Sequence, residues 1–275
     1  MSAIVAQVAG RQVRLTNLPK VMYPRLGMTK SQVIDYYATV GGALVRQTAG
    51  RPVTRIRFPH GVGHQSFFEK NAPEGMPEWI PTMTVNSIQY PVYDEVAAIV
   101  WSAQNNALEL HTPQWHHPGR ADRMVVDLDP GEGTGLSECC EVALIVADYL
   151  RSDNLDAQAV TSGSKGMQLY VNFPEPMDSD AVMNYARAMA TELATKHGDR
   201  IVATMTKAKR TRRVFIDWSQ NNAAKTTITP YSLRGKDLPF AATPVTWSEV
   251  RAGLTDQFLF SETMARLQEI GDLMP

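Results

Sequence analysis

The sequence predicts an α+β fold, and three observations carry that reading. Period-two and helix-period stretches are interspersed without strict βα alternation, which disfavours a doubly wound sheet. Hydrophobic residues make up 44% and charged residues 20% of the 275 positions, enough apolar side chains for a substantial core. No repeat at solenoid periods, no low-complexity tract and no long Gly/Ser linker divides the chain.

The elements follow in order. Thr29 and Gln32 form a capping-box pattern, and Val33, Ile34, Tyr37, Val40 and Leu44 follow at helical spacing until Gly50. Arg51–Phe58 alternates and is β-branched, so it reads as a strand. Residues 59–120 mix Pro, Gly, His and aromatics with short apolar pieces and read as loops around a few short elements. Arg123–Asp129 reads as a strand stopped by Pro130-Gly131, after which Ser137 caps a helix to about Leu150. Ala157–Thr161 and Leu169–Phe173 read as strands around the turn Ser162–Gly166. Ser179 begins a helix with Val182, Tyr185, Met189 and Leu193 on its apolar side, and Gly198 ends it. Arg213–Trp218 and Lys225–Ser232 read as further strands, and helices near Trp247–Leu254 and Thr255–Ile270 close the sequence.

Composition narrows the function classes. Apolar runs such as Val142–Ala147 cover six residues, against the roughly 18–20 that a spanning helix needs. Met1–Gly10 lacks the basic and apolar regions of a secretory leader. The two cysteines, Cys139 and Cys140, are adjacent and form neither a metal knuckle nor a disulfide framework, which points to a reducing cytoplasm. A soluble intracellular protein without membrane contact is expected. The net charge of -1 conceals an asymmetry. Residues 1–70 hold ten Lys/Arg against Asp35 and Glu69, a balance of +8, and the other 205 residues carry -9. Within that acidic part Arg200, Lys207, Lys209, Arg210, Arg212 and Arg213 cluster with no carboxylate from 200 to 216. Such patches suit polyphosphate ligands; a solvated face is the plainer alternative.

Asp127-Leu128-Asp129 ends an apolar strand, so both carboxylates face the same way, and Asp217 ends another. If the two strands are neighbours, three aspartates converge and can hold two divalent cations. For the first pair taken alone, turn chemistry before Pro-Gly is the plainer explanation. In Thr161–Gly166, small residues let backbone N–H groups approach an anion and Lys165 adds charge; an ordinary Gly-Ser hairpin turn is the alternative. His111, His116 and His117 lack the spacing of a zinc site. Phe67-Phe68 reads as a base-stacking platform with at least one ring exposed, or as half of a hydrophobic core.

Together these segments resemble the polymerase domain of bacterial ligase D and its stand-alone Prim-PolC-like relatives, within the archaeo-eukaryotic primase superfamily. The likeness runs from about Val13 to Glu249 through TNLPKVMYP, RPVTRIRFPHGVG, FFEKN, ELHTPQW, VVDLDPGEG, VTSGSKG, FIDWSQNN and KTTITPYSLRGK. It implies the primase-polymerase fold, mixed β-sheets flanked by helices, in a single catalytic domain over 1–275. Its basic DNA-binding part would cover about 1–115 and its metal- and nucleotide-binding part about 116–275. It further implies template-dependent nucleotidyl transfer to a 3′-hydroxyl with two metal ions, Mn²⁺ or Mg²⁺, and a preference for NTP over dNTP.

By position, Asp127, Asp129 and Asp217 match the family's catalytic metal triad. His111, Ser162, Lys165, Gln220, Lys225 and Arg234 match nucleotide-pocket positions, with Arg210 or Arg213 as a further phosphate contact. Asn17, Lys20 and Lys30 match the pocket for the 5′-phosphate of gapped or nicked DNA, where Lys30 also begins a helix whose N–H groups are expected to face the anion. Phe67 and Phe68 match the template-stacking aromatics. One position departs: the motif SGxKGxH carries Gln168 in place of histidine, an amide that donates and accepts hydrogen bonds but holds no charge. No K-x-D-G ligase motif occurs, so a separate DNA ligase is expected as partner, with a Ku-like end-binding protein, in non-homologous end joining at the bacterial nucleoid. The competing readings are a catalytically weak 5′-phosphate end-binding adaptor, a metal-dependent phosphohydrolase or nuclease, and, more distantly, a DxD glycosyltransferase.

Overall fold

The computed structural model describes residues 3–275; Met1 and Ser2, the first of the residues read for a leader, lie outside the described residues. The chain folds as two compact units, each assembled from separated segments. Met1–Thr112, Ile228–Ala242 and Leu259–Asp272 make the first, and Pro113–Thr227, Thr243–Phe258 and Leu273–Pro275 the second.

The first unit opens with two antiparallel ribbons, β1 (Ile4–Val8) with β2 (Arg11–Leu15) and β3 (Val21–Tyr23) with β4 (Met28–Thr29). The expected first helix is α1 (Lys30–Thr48), and Thr29 and Gln32 form its capping box. Strand β5 (Thr54–Arg57) is shorter than the alternating stretch that predicted it, because Pro52 forms an isolated bridge with Val92 and the Val53 N–H donates to the Pro91 carbonyl, outside the β5 ladders. There follow β6 (Phe67–Glu69), a hairpin of β7 (Thr82–Val85) and β8 (Ile88–Pro91), α2 (Val96–Gln104) and β9 (Ala107–Thr112). Strand β5 pairs antiparallel with both β6 and β9. Helix α2 is one of the short elements within 59–120, and the sequence does not show it as a helix. VAAIVWSAQ is apolar on nearly every side, so it has no amphipathic stripe to find, and it is buried accordingly.

The second unit holds β10 (Trp115–His117), β11 (Arg120–Pro130), α3 (Leu136–Ser152), β12 (Gln158–Thr161), β13 (Met167–Asp178), α4 (Ser179–Lys196), β14 (Ile201–Val202) and β15 (Val214–Asp217). Beyond β16 (Thr227–Ile228) come β17 (Thr243–Val245), α5 (Trp247–Ala252) and, back in the first unit, α6 (Phe260–Ile270). Seven strands form one sheet in the order β14-β15-β11-β13-β12-β17, with β10 beside β11. Met124, Val126 and Leu128, with Leu169, Val171, Val214 and Ile216, enter a core built with Cys139, Val142, Ala143, Val146 and Leu150 of α3 and Val182, Ala186, Met189 and Leu193 of α4. Period two therefore puts Val125, Asp127, Asp129, Gln168, Tyr170, Phe215 and Asp217 on the other face. The helices hold one side of the sheet and the carboxylates stand on the opposite side.

Several boundaries differ from expectation. Strand β11 begins at Arg120 and β13 runs on to Asp178, because pairing resumes at Ala121 with Met177 after the Phe173–Pro176 bulge. Ser137 does not cap α3: Gly135 is the N-cap and its N–H donates to the Glu138 carboxylate at 2.7 Å. Helix α4 does begin at Ser179 as expected, capped by Asp178, which accepts from the Ala181 N–H. Of Lys225–Ser232 only Thr227–Ile228 is strand; Pro230 and the left-handed Tyr231 (φ +70°) bend the rest. In the last segment Gly253 (φ +83°) ends α5, and α6 starts only at Phe260.

Candidate metal and nucleotide site

Strands β11 and β15 are antiparallel neighbours, with Asp127 directly opposite Asp217 and Asp129 opposite Phe215. One ligand oxygen from each of Asp127, Asp129 and Asp217 lies within 4.8 Å of the others, the single such acidic or imidazole cluster among the described residues. Asp217 is buried, Asp127 half-buried and Asp129 exposed. The donors are all carboxylate oxygens, with no sulfur or imidazole, which fits a hard divalent cation of the Mg²⁺ or Mn²⁺ type. The strands themselves make the convergence, so it needs no loop to close.

Buried polar groups fix these carboxylates. The Ser219 N–H and hydroxyl donate to Asp217 Oδ1, and Gln220 Nε2 donates to Oδ2 at 2.9 Å. Lys225 Nζ donates to the Ser219 hydroxyl at 2.5 Å, so its charge reaches Asp217 through that bond. Gln168 Nε2 donates to Asp127 Oδ1 at 2.9 Å. Asn221, which sequence reasoning did not single out, pairs its side-chain amide with both backbone groups of Val125 at 2.8 Å. It thereby extends the ladder past the end of β15 and pins the turn that follows Asp217. The signal was present in the sequence, in the Asn that follows the Asp-Trp-Ser-Gln stretch.

The Ser162–Gly166 loop corrects one physical expectation. Its N–H groups are largely spent inside the second unit: Gly163 N–H donates to Gln257, Ser164 and Gly166 N–H to the Ser162 hydroxyl, and Ser162 N–H to the Gly166 carbonyl. The loop offers the exposed Lys165 side chain instead of a backbone cradle. Gly166 is obligatory where it stands, because a Cβ there would lie 2.0 Å from the Leu128 carbonyl oxygen, between the two strand aspartates. Gly166→Ala is expected to destabilise the protein by about 1–3 kcal/mol or more, as overpacking against backbone does; a chemical-denaturation midpoint equal to wild type would contradict it.

The basic segment lies against the end of β11. A Cβ on Gly131 would lie 1.8 Å from the Arg210 carbonyl oxygen, and Gly131 N–H donates to the Arg213 carbonyl. The Arg210 guanidinium stacks 3.6 Å from the centre of the Phe215 ring, on the carboxylate face. Arg213 lines a cavity of about 560 Å³ with Arg187, Thr204 and Trp218.

In the first unit His111 and Arg234 meet through Glu109, a residue the sequence reading passed over. Glu109 Oε2 accepts from His111 Nε2 at 2.9 Å and from Arg234 at 3.1 Å, and Oε1 accepts from the Gly235 N–H at 2.9 Å. Burial pushes the Glu109 carboxyl up, but His111 and the Arg234 guanidinium outweigh it and hold the group down at about 2. Burial lowers the His111 imidazole below its usual range against the pull of Glu109. A carboxylate only accepts, so His111 Nε2 carries the proton and Nδ1 is left as an acceptor.

The structure also brings Lys20 and Lys30 together, for the Lys30 N–H donates to the Lys20 carbonyl at 2.7 Å. Asn17 is exposed and left-handed (φ +55°), and its carbonyl accepts from the Lys20 N–H. The end of α1 does not present free N–H groups as expected: Lys30, Ser31 and Gln32 donate to Lys20, Leu18 and Thr29 respectively. Positive charge at this corner rests on the ammonium groups. Lys20 Nζ is bonded to the Pro59 carbonyl, and the Lys30 side chain is only 3% exposed. Phe67 and Phe68 are both exposed, at 42% and 59%, on a strand held by Glu69, which bridges Arg55 at 3.1 Å and Arg57 at 2.7 Å.

A mixed sheet carrying three convergent aspartates at the ends of neighbouring strands, beside a basic segment, suits phosphoryl-transfer chemistry with divalent cations, and the likeness to known proteins makes the class that of the primase-polymerase nucleotidyltransferases. The family model described as LigD, primase-polymerase domain, matches residues 29–274, and the chain belongs to that family. It is 44% identical over 271 residues to the multifunctional non-homologous end joining protein LigD of Mycolicibacterium smegmatis, covering 96% of this chain and 36% of that protein. It is 42% identical over 278 residues to the corresponding DNA repair protein of Mycobacterium tuberculosis, covering 96% and 37%. The bifunctional LigD of Bacillus subtilis is 28% identical over 255 residues. The chain thus spans little more than a third of the length of its mycobacterial relatives. Among solved structures, the polymerase domain from Mycobacterium tuberculosis ligase D in complex with DNA superposes with a TM-score of 0.92 at 42% identity, covering 95% of this chain and 96% of that one. No helix among the described residues is long and apolar enough to cross a membrane.

Proposed function

We propose that the chain, as one primase-polymerase catalytic domain, adds nucleotides to a 3′-hydroxyl under template direction and fills short gaps beside a 5′-phosphate, with NTP preferred to dNTP. The observation that carries this reading is the opposition of Asp127 and Asp217 across β11 and β15, with Asp129 two residues on. Two divalent cations, Mn²⁺ or Mg²⁺, would supply charge neutralisation at the triphosphate and activation of the attacking hydroxyl. Asp127, Asp129 and Asp217 would hold them. Ser162, Lys165, Gln220, Lys225 and Arg210 or Arg213 serve the incoming nucleotide, as do His111 and Arg234. Asn17, Lys20 and Lys30 take the 5′-phosphate, and Phe67 and Phe68 stack on the template.

The DNA in the mycobacterial complex supports a DNA partner, and the names of the relatives support a place in bacterial end joining; a separate DNA ligase and a Ku-like end-binding protein are the partners this proposal adds. Primer extension on a gapped duplex, with NTP against dNTP in Mn²⁺ and in Mg²⁺, tests the proposal. Extension several-fold faster with NTP is expected. A clear deoxynucleotide preference overturns the sugar assignment, a shortened substrate makes the protein a nuclease, and binding without extension makes it an adaptor.

A further inference from the structure

We infer that Tyr170 and Gln168 form an uncharged relay that positions Asp127 for its divalent cation: the phenol anchors the amide, and the amide holds the carboxylate. The inference deepens the metal-site reading above and rests on it. Asp127 and Gln168 are direct partners across β11 and β13, and Tyr170, two residues on, shares the face of Gln168. The Tyr170 hydroxyl donates to Gln168 Oε1 at 2.9 Å, and Gln168 Nε2 donates to Asp127 Oδ1 at 2.9 Å. Gln168 is 3% exposed and Tyr170 fully buried, so the bond between them is shielded from water.

A glutamine amide has two ends of nearly equal shape and opposite polarity. Turned over, it would aim its carbonyl oxygen at the Asp127 carboxylate, which only accepts, and that bond would be lost, whereas the phenol can accept as well as donate. The carboxylate therefore selects the N–H end of the amide, and the Tyr170 hydroxyl, donating to Oε1, holds the far end in place. Tyr170 is itself held, because the buried Arg123 guanidinium lies 5.0 Å from its ring centre and donates to Gln114. An amide at the position where the SGxKGxH motif carries histidine thus has its orientation set by the fold, and Asp127 meets the cation already placed. Partners of metal ligands that act in this way typically cost 10–100-fold in metal affinity when removed. Tyr170 and Gln168 are positioning residues, and neither needs to touch the nucleotide.

The test is Mn²⁺ titration of the nucleotide-free protein, followed by the paramagnetic resonance of unbound Mn²⁺, for wild type, Tyr170→Phe, Gln168→Asn and the double variant. Tyr170→Phe keeps the ring and removes only the donor; Gln168→Asn is one methylene too short to span both partners. Each is expected to weaken Mn²⁺ binding about tenfold, with the double variant no weaker than either single one, since both break the same chain of bonds. The Gln168 side-chain amide resonance should shift in Tyr170→Phe. Wild-type affinity retained within twofold in Tyr170→Phe overturns the relay. Should that variant fail to fold by circular dichroism, unchanged affinity in Gln168→Asn overturns it equally. A wild-type protein that takes up no Mn²⁺ removes the metal site itself, and the relay with it.

Discussion

Asp217→Ala and Asp127→Ala are each expected to reduce primer extension below about a thousandth of the wild-type rate. The metal-held charge stabilisation in phosphoryl transfer is worth several kcal/mol, and about 4 kcal/mol is a factor of a thousand. DNA binding should survive, because the proposed phosphate corner is built from Asn17, Lys20 and Lys30 on other elements. Asp217 is the more telling of the two positions. Three donors from Ser219 and Gln220 converge on its carboxylate, and alanine leaves those groups without an acceptor as well as removing a ligand. A stopped assay of extension beside a gel-shift of gapped DNA separates the two effects. Extension near the wild-type rate in either variant removes that aspartate from the chemistry.

The second large effect concerns the DNA end. Burial and the neighbouring Lys20 lower the Lys30 ammonium to about 8. A bound phosphate favours the charged form, so above pH 8 binding must take up a proton and affinity falls as pH rises. Below that pH the Lys30 ammonium is in place. Gapped DNA with a recessed 5′-phosphate should therefore bind several-fold tighter than its 5′-hydroxyl twin near pH 7, and the advantage should shrink by pH 9. Lys20→Ala combined with Lys30→Ala should erase it and flatten the salt dependence. Fluorescence anisotropy at physiological salt checks all three; equal affinity for the two ends would leave only a general basic patch. Folding responds to the same lysine in the opposite sense. The unfolded side chain keeps its proton to about the ordinary 10.5, so between pH 8 and 10.5 Lys30 makes stability rise with pH.

The sequence made the aspartate site legible because strands obey a period of two. Once β11 and β15 were read as strands ending in acid, only their adjacency remained to be found, and local residues do not encode adjacency. The boundary of α1 was legible for a similar reason, since Thr29 and Gln32 act within one turn. What the sequence hid was long-range. Glu109 joins His111 and Arg234 over more than a hundred positions, and in the sequence it is merely an acid within a strand. Helix α2 was hidden because total burial removes the polar stripe by which a helix is recognised. The N–H groups of α1 and of the Ser162–Gly166 loop looked available for an anion only because their carbonyl and side-chain partners, Leu18, Lys20 and Gln257, could not be located in advance.

The first unit is assembled from three separated pieces, and the last of these contributes contacts its start depends on. Asp272 accepts from Arg46 of α1 and from Tyr231, and the Phe260 ring packs edge-on against Tyr36 at 6.3 Å. During synthesis these partners leave the ribosome far apart in time. Residues up to Thr112 must wait through the whole second unit before α6 arrives to cover α1. The second unit waits less, since its large sheet lacks only β17 once Asp217 has emerged. The nascent chain thus completes its aspartate-bearing sheet while α1 is still uncovered, and the interval between the two is a window in which a growing chain is exposed to chaperones and proteases.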